Sequence, residues 1–352
     1  MDKPKKSVRR KTSGVTIDEV AALAGVSPMT VSRAINQGKV RDVTRERVMR
    51  AVRELGYTPN LAASSLAAAQ HTRIALIYTD PSGAYLRELL VGLLRVASNA
   101  AIQLVIDYWD EPGPTAQRKA ARALAGRVDG VILPPPLCES KPVVTELVRA
   151  GIPVVAIAPG HLGDGVSCVR IDDFHAGREL AEHLIQHGHR RIGFICGRTD
   201  LSASARRYDG FVSALQDAGL EVDPALVEQG DYTYRSGLAA AEKLLCQSRP
   251  PTAIFASNDD MGAAAISVAH RRGLEVPRDL SVVGFDDSSA ATTVWPELTT
   301  IHQPIASMAD AAIDILLRTI RRRTDGERVL IDHVVPHQLV VRDSVARPPG
   351  SR

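Results

Sequence analysis

The stretch VSPMTVSR, residues 26–33, gathers side chains that suit one task. Pro28 and Met29 stand at the start of a helix-length segment, with Arg33 one turn further along. When such a helix lies in the major groove of DNA, its N-terminal side chains reach base edges, and an arginine can pair bidentately with guanine. Ser27, Thr30 and Ser32 carry hydroxyls suited to phosphates, which fix position rather than sequence. Other groupings carry less. His183 and His187 are four residues apart with His189 nearby, but no acid or cysteine stands at a fixed spacing, so helix-end histidines are expected and no metal. The doublets Asp172–Asp173, Asp259–Asp260 and Asp286–Asp287 each follow an apolar run and open a helical one, which reads as capping rather than acid–base chemistry. No phosphate loop, dinucleotide fingerprint or nucleophile elbow occurs, so neither a cofactor nor an enzymatic activity is expected.

The elements around the reading segment fit the same task. Thr16 and Glu19 form a capping box for a helix over 15–25, with Val15 and Val20 as a hydrophobic staple. Val20, Leu23 and Ala24 make its inward face, and Gly25 ends it. Ser27 caps a second helix with Pro28 at its first position and Val31, Ala34 and Ile35 inward. A third, VTRERVMRAVRELG, turns Val48, Val52 and Leu55 inward and stops at Gly56. Three short helices with a glycine turn predict a helix-turn-helix. A generic three-helix bundle would leave the tight turn and the surface arginines unexplained.

Charge supports a division of the chain. Residues 1–70 hold 13 Lys/Arg against 6 Asp/Glu, a net +7, while the rest hold 30 against 34. A compact basic head on a mildly acidic body is the electrostatic outline of a nucleic-acid module joined to something else; the basic run at 3–11, taken alone, also reads as a solvated tail. At 352 residues the chain has room for two or three domains. An apolar content of 45% excludes wholesale disorder, and aromatics at 4% leave the core to Ala, Val, Leu and Ile. No apolar run reaches membrane-span length. The first residues have no apolar core of a secretory signal, and the four cysteines are too scattered to pair or bind metal, so a cytoplasmic, nucleoid-associated location is expected.

From residue 73, apolar runs of strand length (74–78, 103–107, 130–134, 153–158, 191–196, 253–257, 281–286) alternate with helical stretches (86–99, 115–125, 141–150, 174–187, 204–218, 235–246, 259–272). Continuous apolar strands between helices predict parallel sheets covered on both faces, in two units with a ligand beyond the strand ends.

The head resembles that of the lac/galactose repressor family of bacterial transcription regulators. The pattern T-x-x-x-V-A-x-x-A-G-V-S-x-x-T-V-S-R-x-x-N runs from Thr16 to Asn36, and Gly-Tyr-x-Pro-Asn falls on Gly56, Tyr57, Pro59 and Asn60. The resemblance implies DNA contacts that take in Thr16, Asn36, Tyr57 and Asn60. It also makes 60–67, NLAASSLA, a hinge helix that forms on DNA, with Leu66 wedged into a base step. Eight residues are too few for a stable free helix, which agrees; an Ala/Ser linker is the other reading. Ser64 stands where many members carry arginine, which weakens the expected phosphate contact.

The resemblance covers the body too. It implies a two-lobed core like that of periplasmic sugar-binding proteins, with three crossovers. Arg207, Asn258 and Asp286 match the family's ligand positions, Tyr232 stands where an aromatic stacks on the ligand, and Asp80 and Tyr85 could close the cleft from the other lobe. Arginine and aspartate bonded to vicinal hydroxyls, with an aromatic under the apolar ring face, would make a pyranose site; Asn258 and Asp286 could instead cap the helices that follow.

The expected fold is therefore a small all-α helix-turn-helix head on an α/β two-lobed periplasmic-binding-protein-like core with parallel sheets. The expected divisions are a basic flexible tail (1–14), the head (15–59), a hinge helix and linker (60–72), the core (73–342, with lobes at 73–170 plus 303–329 and 171–302 plus 330–342) and a flexible tail (343–352). The expected function is a repressor of carbohydrate-metabolism genes, a homodimer on palindromic double-stranded operator DNA, controlled by a small-molecule effector such as a sugar. The last segment has no leucine heptads, so no tetramer is expected. A small-molecule (sugar) binding protein without a regulatory role is the alternative, and the helix-turn-helix argues against it.

Overall fold

The computed structural model describes residues 15–35, 40–57, 71–79, 83–110, 113–160, 165–322 and 329–349. The chain divides into two compact units, Met1–His71 and Thr72–Arg352.

The first unit holds helices α1 (Ile17–Ala24), α2 (Pro28–Ile35) and α3 (Asp42–Leu55). The capping box is present: Thr16 Oγ1 accepts from Glu19 N at 3.4 Å and Glu19 Oε2 from Thr16 N at 2.7 Å. Gly25 and Gly56 close α1 and α3 at a φ of 60°, where a side chain would be strained. The core is small: Val20, Ala21 and Ala24 pack with Val31, Ala34, Val48 and Ala51. It differs from the sequence reading. Leu23 is 49% exposed and Ala21 takes its place, because α1 faces its neighbours one residue further round. Ile35, Val52 and Leu55 are only partly buried.

The second unit is α/β. Its first lobe contains β1 (Thr72–Tyr78), α4 (Gly83–Asn99), β2 (Ile102–Tyr108), α5 (Pro114–Ala123), β3 (Gly130–Leu133), α6 (Lys141–Arg149), β4 (Val154–Ile157) and β5 (Ser167–Arg170). The second contains α7 (Asp173–Gln186), β6 (Ile192–Cys196), α8 (Ser202–Asp217), β7 (Val227–Gln229), α9 (Tyr234–Leu245), β8 (Ala253–Ala256), α10 (Asp259–Arg271), β9 (Ser281–Val283), α11 (Ser289–Thr293) and β10 (Thr300–His302). The chain then returns as α12 (Ile305–Arg322), β11 (Asp332–Val334) and β12 (Gln338–Val340).

Two parallel sheets result, in the orders β2-β1-β3-β4-β5-β11 and β7-β6-β8-β9. Strands β3, β4 and β8 are buried along their whole length, as helices on both faces require. In each sheet the order reverses beside the first strand, where a crevice opens beyond the carboxyl ends. The chain passes between the lobes after β5, after β10 and between β11 and β12.

Two sequence expectations fail here. Residues 330–342 do not go together to the second lobe: Asp332 pairs with Cys168 and Val334 with Arg170, so β11 extends the first sheet, anchored by Arg170 bonded to both Asp332 oxygens at 2.9 and 2.8 Å. Only β12 joins the second lobe, antiparallel to β10. Nor is the segment from 343 to 349 a loose tail. Ser344 is fully buried; its hydroxyl donates to Val282 O at 2.6 Å and accepts from Thr299 N at 2.8 Å. Buried His189 holds the same strap, with Nε2 2.9 Å from Ala346 O. None of the described helices is long and apolar enough to cross a membrane.

Candidate functional site

In the first unit the reading segment forms the N-terminal end of α2. The sequence makes a helix start here because Ser27 supplies the cap: its Oγ accepts from Thr30 N at 3.3 Å and lies 2.9 Å from Thr30 Oγ1. Pro28 costs nothing at the first position, where its missing N–H would have no helical partner. Burial of Val31 and Ala34 turns the other face outward. Met29 is 65% exposed, and Arg33, also exposed, lies four residues on along the same face. Ser32 is half-buried. Arg45 fixes the far end of α2 by donating to Ala34 O at 2.9 Å. Thr16 is exposed in its capping box, while Tyr57 packs partly buried against the head core. Asn36, Asn60 and Leu66 lie outside the described residues, as does the whole 60–67 segment.

In the second unit a cavity of about 540 Å³ opens between the lobes. Tyr85, Pro135, Pro136 and Ala158 line it from the first lobe; Arg198, Arg207, Tyr232, Asn258, Asp260 and Asp286 line it from the second, and Gln303 from the crossover before α12. Five residues singled out in the sequence thus meet in one place: Tyr85, Arg207, Tyr232, Asn258 and Asp286. Asp80 lies outside the described residues.

Arg207 is the hub. It rises from α8 and is 6% exposed, with its guanidinium carbon 3.7 Å from the centroid of the Phe285 ring. Nε donates to Asp173 Oδ1 at 2.8 Å and Nη1 to Ser257 O at 2.7 Å, while Asp286 Oδ1 stands 3.8 Å away. Buried arginine among carboxylates stays protonated. Asp286 has a left-handed φ of 109° and accepts from Gln303 Nε2 at 2.7 Å. Burial pushes its carboxyl up to about 7, against the opposing pull of Arg207. Tyr232 is also left-handed, at φ 72°, a strain of about 1–3 kcal/mol of the kind that collects at functional sites. A Cβ on Gly197 would overlap the Tyr232 ring, so only glycine leaves room for it.

Asn258 lines the cavity with its amide engaged at both ends. Oδ1 accepts from Met261 N at 3.0 Å, capping α10, and Nδ2 donates to Tyr232 O at 2.9 Å, holding the strained tyrosine. Three buried polar atoms have no protein partner among the described residues, His183 Nε2 and two at the cavity: the Tyr85 hydroxyl and Gln303 Oε1, a donor on one lobe and an acceptor on the crossover. Burial raises the Tyr85 pKa, so its proton stays. Buried polar atoms are as a rule hydrogen-bonded, so the two at the cavity are available to a polar ligand or to water.

The acidic doublets are only partly caps. Asp172 caps α7 through His175 N, but Asp173 is the counter-ion of Arg207. Asp259 is a buried acceptor for Ser288 N and Thr300 Oγ1, both at 2.6 Å. Gln303 was missed in the sequence; its signal was a polar side chain immediately before the proline that starts a crossover.

An exposed helix-turn-helix end on one unit and an interlobe cavity with a buried arginine–carboxylate hub on the other define a ligand-controlled DNA-binding regulator. The comparisons agree. Residues 16–60 match the family described as bacterial regulatory proteins, lacI family, and residues 181–345 match the periplasmic binding protein-like domain. The HTH-type transcriptional regulator CelR of Thermobifida fusca is 37% identical over 338 residues, covering 94% of this chain and 98% of that protein. Among solved structures, a CelR–cellobiose complex superposes with a TM-score of 0.70 at 35% identity, covering 94% of this chain and 99% of that one. The Lac repressor dimer bound to operator and the anti-inducer ONPF gives 0.75 at 27%, covering 95% and 100%. The chain belongs to the lacI family of bacterial regulatory proteins. It is a DNA-binding transcription regulator, not an enzyme.

Proposed function

We propose that the chain is a repressor of carbohydrate-metabolism genes, acting in the cytoplasm as a homodimer on palindromic operator DNA, with a sugar or sugar derivative as effector. The observation that carries the sugar reading is the presence of Arg207, Asp286 and the Tyr232 ring in one cavity. Arginine N–H groups donate to sugar hydroxyls, the carboxylate accepts from them, and the aromatic covers the apolar ring face. Tyr85 and Gln303 add a donor and an acceptor for further hydroxyls. The relative solved with cellobiose and the one solved as a dimer on operator support both halves of the reading. The parts assigned to Asn36, Asn60, Leu66 and Asp80, and the 60–72 hinge, rest on the resemblance.

On the DNA side, Arg33 reads a base while Ser27, Thr30 and Ser32 hold phosphates. Arg33→Ala therefore costs about 1–3 kcal/mol on the specific operator and much less on random duplex. Gel shifts of both proteins on both DNAs, at one fixed salt concentration, test this. Equal losses on the two would make Arg33 a phosphate contact.

A further inference from the structure

Helix α8 carries Arg207, yet it begins without a cap of its own. The residue before it, Leu201, has no side-chain group that can accept from the free N–H groups of the first turn, and among the described residues its carbonyl takes only Ser204 N, at 3.1 Å. The acceptor comes from the opposite lobe. Glu139, in the short turn after β3, accepts from Ser202 N at 3.0 Å through each carboxylate oxygen, and from the Ser202 hydroxyl at 2.8 Å. The same hydroxyl oxygen accepts from Gly160 N at 3.0 Å, just beyond β4. Gly160 approaches so closely that a Cβ there would lie 2.5 Å from Ser202 C and 2.6 Å from Ala203 N. Leu201 and Ala203, on either side of Ser202, line the cavity.

We propose that Glu139 and Gly160 form an interlobe latch on the N-terminus of α8, which sets the balance between lobes closed over the effector and lobes apart. The inference rests on the cavity being the effector site. A carboxylate on helix N–H groups makes charge-assisted hydrogen bonds and meets the positive end of the helix dipole. When the lobes part, both groups return to water, so the latch biases the equilibrium without locking it. The effector binds between the lobes, and its apparent affinity is reduced by whatever fraction of molecules is not closed. A second interlobe bond, Arg87 Nη2 to Ser289 Oγ at 2.9 Å, joins exposed groups and adds little.

Glu139→Ala removes the acceptor, Glu139→Gln keeps one, and Gly160→Ala forces the contact apart by size. Small-angle scattering of the ligand-free full chain reads the opening directly, and calorimetric titration with cellobiose reads its consequence. The latch predicts a more open particle for E139A and G160A, with cellobiose bound roughly 5–20-fold more weakly, and E139Q between them and wild type. Should E139A fail to fold, Ser202→Ala loosens the same contact with less disturbance. Unchanged scattering in a folded E139A overturns the latch, whatever the affinity does. A wild type that binds no cellobiose counts against that sugar as effector, while the scattering still decides the latch.

Discussion

Asp286 joins the chemistry of the cavity to solution pH. With its folded pKa pushed up to about 7 from 3.8, chiefly by burial, ionising it opposes folding, so its contribution favours the fold below the lower value and declines as pH rises towards the higher one. Ligand binding runs the other way. In the proposed sugar site hydroxyls donate to the ionised carboxylate, so binding is expected to release a proton and effector affinity to fall as pH drops from about 8 to about 6. Asp286→Asn removes that slope while keeping an acceptor; calorimetry across the range checks it, and a slope that survives in D286N would move the titrating group elsewhere. At this scale the site was legible because Arg207, Tyr232, Asn258 and Asp286 stand in recognisable local contexts. Asp173 was not, since its partner is 34 residues away in sequence and a doublet before a helix looks like a cap. Asn258 shows both readings at once, capping α10 while lining the cavity.

Among the elements, the contact between α7 and α8 decides whether Arg207 is in place. A Cβ on Gly177 of α7 would lie 2.5 Å from Arg207 O and 2.9 Å from its Cα, and Gly210 of α8 packs as closely on Phe174. Gly177→Ala therefore overpacks the pair, costing about 1–3 kcal/mol, and moves the backbone that carries the guanidinium. Thermal unfolding should show a lower midpoint and titration a weaker effector; wild-type values for both would mean that α8 tolerates displacement. The seven strands were legible as continuous apolar runs and the helices between them by their longer period. Strands β5, β7, β10, β11 and β12 were not: SCVR, VEQ, TIH, DHV and QLV carry polar residues that interrupt any apolar run, and β11 and β12 pair with partners far away in sequence. The buried strap at Ser344 was hidden for the same reason, since D-S-V-A-R-P-P-G carries the composition of a tail.

At the scale of the whole molecule, the proposed function couples two units of opposite charge and different chemistry through one free energy. The charge asymmetry, the head motif and the strand–helix alternation made this division legible before any contact was known. An effector shifts the lobes only by its differential affinity for their two arrangements. If the lobes set operator affinity, operator must change effector affinity by the same factor, typically about 5–150-fold. The decisive measurement is a calorimetric titration of wild type and Arg207→Ala with the effector sugar, with and without operator DNA. The account predicts that operator changes wild-type sugar affinity at least about 5-fold, and that R207A binds operator normally but loses the sugar. Tight sugar binding by wild type that is identical with and without operator would contradict it.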